Sequence, residues 1–117
     1  MNVLVLLILF AGCGKSLPVL DGINLTDWKN DKNGCNGIRQ SMTELIIAQK
    51  DKLLSLSETD IIRLLGKPDE TELSKRNEKF YRYYLRQGVG CSQNPLGTEV
   101  MIIRFNAIGF SKEVVVE

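Results

Sequence analysis

Histidine is absent from this 117-residue chain, and that absence removes a large block of chemistry. Without imidazole there is no Ser/His or Cys/His nucleophile pair, and the commonest general base and metal ligand is gone. A charge excess is also missing. Fifteen Lys and Arg stand against fourteen Asp and Glu, for a net charge of +1, so bulk charge gives no reason to expect nucleic acid as a partner. Long apolar runs are lacking too. The conspicuous one, Val3 to Phe10, is well short of the ~20 residues of a membrane-spanning helix. No internal repeat or low-complexity tract occurs. What remains is enough chain for one modest core, read as a non-enzyme without a cofactor.

The stretch Phe10-Ala11-Gly12-Cys13-Gly14-Lys15-Ser16 admits two incompatible readings. Gly14-Lys15-Ser16 is the second half of a phosphate loop, G-x-x-x-x-G-K-[ST], whose bent backbone turns N–H groups onto the phosphates while the Lys reaches them. The first glycine of that pattern falls at Leu9, whose side chain blocks the close backbone approach. The chain is also too short for the βαβ units of such folds. The second reading is a bacterial export signal. Val3 to Phe10 has the size of a signal-peptide apolar region. Phe10-Ala11-Gly12-Cys13 resembles a lipobox, in which a large apolar residue and two small ones precede a cysteine that is diacylated on sulfur before a lipoprotein signal peptidase cuts in front of it. Phe10 stands where Leu is usual, and no Lys or Arg leads in. An N-terminal core strand is the remaining alternative. The lipobox reading makes residues 1–12 a signal peptide and puts a covalent lipid on Cys13. Residues 13–36 then form a lipidated tether and turn-rich lead-in, and residues 37–117 a single domain.

With Cys13 taken by lipid, Cys35 and Cys91 remain. Outside the cytoplasm an even pair usually means a disulfide, and the alternative is two unrelated thiols. Around Cys35 the segment DWKNDKNGCNG contains Asn-Gly twice, a pair that readily takes positive φ. The same segment approaches the calcium-loop pattern D-x-[DN]-x-[DN]-G, but Lys29 stands at its first position and Gln40 at its twelfth. A cation where the first carboxylate belongs counts strongly against that site. Trp28 reads as a packing anchor for the lead-in.

Further on, Ile38, Met42, Leu45, Ile46 and Gln49 recur at helical spacing and predict a helix over 38–54, with Ser41-Met42-Thr43-Glu44 as a capping box at an alternative start. A shorter helix begins at the N-cap Ser57, carries Glu58 and Asp60 at its positive end, and buries Ile61, Leu64 and Leu65. Gly66 and Pro68 stop it. The Asp69-Glu70 pair just beyond reads as a solvated turn. Strand signals follow at 79–87, 99–106 and 110–117, the last two joined by a tight turn through Asn106 and Gly109. The expected class is α+β, with two N-terminal helices packed on a three-stranded antiparallel sheet.

Three of these features together, Leu65-Gly66-Lys67-Pro68, the aromatic strand Phe80 to Leu85, and Phe105-Asn106 with Gly109, resemble the SmpA/OmlA (BamE-like) family of small bacterial outer-membrane lipoproteins. The likeness covers residues 53–117. Ser55-Leu56-Ser57 replaces the family's usual Gly-Met-Thr, and the Trp28 and Cys35 region is outside the pattern. The resemblance implies an ααβββ sandwich held at the outer membrane by its lipid and facing the periplasm. In the family's best-known branch it implies an accessory role in assembling outer-membrane β-barrels. The expected function is thus a lipid-anchored envelope module that binds a protein partner, a β-barrel assembly complex being the leading candidate. The alternative is a secreted or envelope inhibitor or ligand-binding module with a similar helix-on-sheet fold. In the first of the strands, Tyr81, Tyr83 and Leu85 form the uncharged face, expected under the helices beside Met101, Ile103 and Phe105. Phe80, Arg82, Tyr84 and Arg86, with Arg104 beside them, are left on the open side as candidate partner-binding residues. Aromatic and Arg side chains are enriched at interface hot spots, and guanidinium pairs bidentately with carboxylate or phosphate.

Overall fold

The computed structural model describes residues 16–88, 90–91 and 97–117, so Cys13 and the apolar run before it lie outside the described residues. The described chain opens with a helix inside the lead-in, α1 (Leu25–Asn30), then a 3-10 turn at Lys32–Gly34. Asn24 caps α1, its side-chain oxygen accepting the Asp27 N–H at 3.1 Å. Both Asn-Gly pairs turn the chain through positive φ: 61° at Asn33, 62° at Gly34 and 80° at Gly37.

The helix expected over 38–54 is not continuous. It is divided into α2 (Ile38–Ser41), α3 (Thr43–Ala48) and a 3-10 turn (Lys50–Leu53). Ser41 does not cap α3. Its hydroxyl bonds back to the Ile38 carbonyl at 2.6 Å, a local bond that competes with helix propagation. The chain bends at Met42 (φ −99°, ψ 0°) and again at Gln49 (φ −115°). The next helix, α4 (Glu58–Leu65), follows its sequence signals closely. Ser57 Oγ accepts the Asp60 N–H at 3.1 Å, Ile61, Leu64 and Leu65 are buried, and Gly66 ends the helix at φ 84°.

The three-stranded sheet expected from the sequence is corrected to four. Strands β1 (Glu70–Leu73), β2 (Lys79–Arg86), β3 (Glu99–Phe105) and β4 (Ser111–Val116) form one antiparallel sheet in the order β1-β2-β3-β4. The unexpected strand is Glu-Thr-Glu-Leu, with no alternation of apolar and polar residues and no buried residue. It is an edge strand, held by its register on β2, Glu70 opposite Arg82 and Glu72 opposite Phe80. Charged side chains on a short edge strand also discourage further strands from adding there. Such a strand is stabilised by its neighbour, so apolar periodicity cannot reveal it.

The helices cover one face of the sheet. Tyr81, Tyr83, Leu85, Met101, Ile103 and Phe105 point under them and join Trp28, Met42, Ile46, Leu53, Ile61, Leu64 and Leu65 in one core. Tyr81 and Phe105 meet edge to face, their centroids 4.6 Å apart, a favoured aromatic geometry. The lead-in belongs to this core: Leu20, Ile23 and Trp28 are buried in it and Leu17 packs against it. Trp28 Nε1 donates to the Leu65 carbonyl and Tyr83 Oη to the Gly66 carbonyl, while the Lys29 ammonium reaches the Arg63 carbonyl. The carbonyls at the end of α4, which lack intrahelical partners, are thus satisfied by residues from outside the helix.

Candidate functional site

Residues paired across strands share a face, so the register fixes what the sheet presents opposite the helices. Arg82 lies opposite Ile102 and Glu70, Phe80 opposite Arg104 and Glu72, and Tyr84 opposite Val100. On the far side, Ile102 faces Val115 and Arg104 faces Glu113. The outer face therefore carries a half-buried apolar band of Phe80, Val100, Ile102 and Val115, framed by charge.

The arginines of this face are already paired. Arg82 Nη2 lies 2.7 Å from Glu72, and Arg104 bridges Glu78 at 2.9 Å and Glu113 at 3.3 Å. These pairs are partly exposed, and such pairs are worth little individually. Their effect is to fix the guanidinium groups in place. Tyr84 is buried, at 7% exposure. Its hydroxyl donates to Glu70, and Gly88 approaches so closely that a Cβ there would sit 2.3 Å from the Tyr84 ring. Arg86 lies beyond a bulge, opposite Glu99, and its Nε donates to the Gly97 carbonyl at 3.1 Å. Of the five candidates, Phe80, Arg82 and Arg104 are brought together around Ile102. Tyr84 is buried beside them, bonded to Glu70, and Arg86 stands apart at the strand end.

The Cys35–Cys91 disulfide is present, with Cα atoms 5.4 Å apart. It joins the lead-in to the loop after β2, and two backbone bonds run beside it, from Gln87 N–H to the Gly34 carbonyl and from Gly88 N–H to the Asn33 carbonyl. Gly34 has no room for a side chain: a Cβ would lie 2.8 Å from Arg86 N.

Under this junction lies a buried polar cluster that the sequence did not announce. Asp31 is fully buried, accepting the Asn36 N–H at 2.8 Å and the Arg39 N–H at 2.9 Å. Arg39, 1% exposed, stacks 4.8 Å from the centroid of Trp28, donates to the Trp28 and Tyr84 carbonyls, and pairs with Asp69 at 2.7 Å. Asp69 also accepts the Asn33 and Tyr84 N–H groups. The carboxylate that read as solvated is thus the hub joining α4's exit, the lead-in and β2. Such a cluster organises the fold. Beside it, Lys32, Asn33, Lys67, Pro68 and Asp69 line an open cleft of about 210 Å³.

The three tyrosines of β2 are all shifted upward. Burial, followed by the hydrogen bond to Glu58, pushes Tyr81 up to about 12. Burial pushes Tyr83 higher still, and burial with the Glu70 bond pushes Tyr84 up to about 12. Glu58 goes the other way. Its desolvation would raise it, but the bonds from Lys79 and Tyr81 and the charge of Lys79 together hold it below the ordinary carboxylate range.

Among the described residues no group of three or more His, Cys, Asp or Glu could hold a metal ion, and no helix is long and apolar enough to cross a membrane. Comparison with models of protein families, with curated proteins and with solved structures returned no match.

Proposed function

We propose that this protein is a lipid-anchored module of the bacterial cell envelope that binds a protein partner across the outer face of its sheet. The observation that carries this reading is the one-sided cover of the sheet. Helices protect one face, while Phe80, Val100, Ile102 and Val115 make an apolar band on the other, between the ion-paired Arg82 and Arg104. An apolar centre ringed by pre-positioned guanidinium groups has the composition of an interface core with its rim. The Cys35–Cys91 disulfide suits an oxidising compartment outside the cytoplasm, as the lipobox resemblance implies. The BamE-like resemblance favours a component of the β-barrel assembly machinery as the partner.

Photo-crosslinking from the outer face tests this. A benzophenone amino acid at Ile102 in the lipidated protein, in intact envelopes, should crosslink to a β-barrel assembly component, and the same group at exposed Lys112 should not. Phe80→Ala should weaken that association about 30-fold, the effect of losing roughly 2 kcal/mol at a hot spot. Equal crosslinking from both positions would sink the outer-face reading. A soluble secreted enzyme as the crosslinked species would favour the inhibitor alternative.

A further inference from the structure

We infer that the segment Pro18–Val19, together with Leu45 of α3, is a seat that rests on the lipid surface. This rests on the reading of Cys13 as the lipidated residue and goes beyond it. A tether that spans 13–36 would let the body swing freely. The chain leaves no such length, because Leu17 already packs against the core and Leu20 is buried in it. Only Gly14, Lys15 and Ser16 lie between Cys13 and Leu17. Fully extended, that stretch reaches at most ~14 Å. The headgroup layer takes up about 5–7 Å of it, so Leu17 is kept within about 7–9 Å of the bilayer surface.

The side chains there suit that position. Val19 is 72% exposed and Leu45 41% exposed, and Leu45 lies against the Asp21–Gly22 turn that follows Val19, its Cδ1 3.4 Å from where a Gly22 Cβ would stand. The segment is rigidly mounted. Gln49 bonds both the N–H and the carbonyl of Asp21, and Lys52 donates to the Val19 carbonyl at 2.8 Å. Lys52 also pairs with Asp21 at 3.3 Å, so the cation bonded to the Val19 carbonyl is already offset by a carboxylate. The attraction of this surface to lipid is therefore apolar, and amphipathic surfaces of this kind bury their apolar side chains in the headgroup boundary.

The experiment uses the lipidated full chain reconstituted in vesicles of phosphatidylethanolamine and phosphatidylglycerol that contain acyl-brominated lipid, with the buried Trp28 of the wild type as baseline. Val19→Trp places a probe at the seat, and Leu45→Trp is a second probe should the first perturb folding. Lys75→Trp, in the turn beside β1, is the control. That turn belongs to the opposite sheet edge from β4, on which Lys50 rests through the Val114 carbonyl. The seat probes should be quenched and blue-shifted, the control should match the baseline, and the contrast should persist in high salt. Equal quenching at all three positions, or loss of the contrast in salt, overturns the seat while leaving the anchor intact. A chain that fails to co-sediment with vesicles overturns the anchor and the seat with it.

Discussion

A single arginine carries more of this structure than its place in the sequence suggests. Arg39 sits between Ile38 and Gln40 in a stretch that reads as an ordinary helix, and nothing local separates it from the partly exposed Arg82. Its partners are remote in the chain. Asp31 lies 8 residues away and Asp69 lies 30 away, so only the fold brings two carboxylates, a guanidinium and the Trp28 ring together. The magnitudes differ accordingly. Arg39→Ala would leave the buried Asp69 carboxylate without its cation, while Asp31 keeps its backbone N–H donors, a loss expected to be about 3–5 kcal/mol. Arg82→Ala removes a pair whose side chains are 28% and 53% exposed, and such a pair contributes up to about 1 kcal/mol. Urea unfolding of both variants measures the difference, and equal midpoints would refute the buried role of Arg39.

At the scale of elements, β2 was the most legible part of the chain. Its alternation placed Tyr81, Tyr83 and Leu85 under the helices because a strand has a period of two. The bulge at its end was hidden, since no local signal marks it and its close neighbour Gly34, where a Cβ would lie 2.8 Å from Arg86 N, is remote in the chain. Strand β1 was hidden for a related reason, its stability residing in its pairing with β2. The N-cap and glycine stop of α4 were readable because they are local. The breaks around Met42 and Gln49 were not, because helical spacing persists across them. Strand β2 also concentrates the protein's tyrosines, and all three are raised above their ordinary value of about 10, Tyr81 and Tyr84 to about 12. A group with a raised folded pKa stabilises the fold below its unfolded pKa, and that contribution disappears as pH climbs through the folded value. Stability should therefore hold to about pH 10 and fall steeply towards 12. Tyrosinate absorbance should rise together with loss of the circular dichroism signal. Three tyrosines ionising near pH 10 in a folded protein would contradict the burial of β2.

For the whole molecule, the question is what binds the first described residues to the rest. Trp28 holds the end of α4, Arg39 meets Asp69, and Asn33 and Gly34 pair with the backbone after β2. Each contact spans a long stretch of chain, and forming any one of them requires closing a large loop. The Cys35–Cys91 bond closes such a loop covalently, at a sequence separation of 56. On the chain-entropy account, a bridge of that span removes about 4 kcal/mol of freedom from the unfolded chain. That is a large share of the roughly 5–15 kcal/mol by which domains are stable. The bridge does not stand alone, however. The backbone bonds beside it and the Arg39 cluster hold the same junction, and the core under the sheet does not include either cysteine. The expectation is therefore a quantitative loss without collapse. A Cys35→Ser, Cys91→Ser double variant should remain folded in dilute buffer, with its unfolding free energy lower by about 4 kcal/mol. Hydrogen exchange should quicken first at the Gly34, Gln87 and Gly88 amides, before the amides of β3. Urea titration reads the first expectation and exchange mass spectrometry the second. Unchanged stability would show that the hydrogen bonds alone hold the junction. Simultaneous exchange throughout the sheet would show that the lead-in and the sheet unfold as one unit.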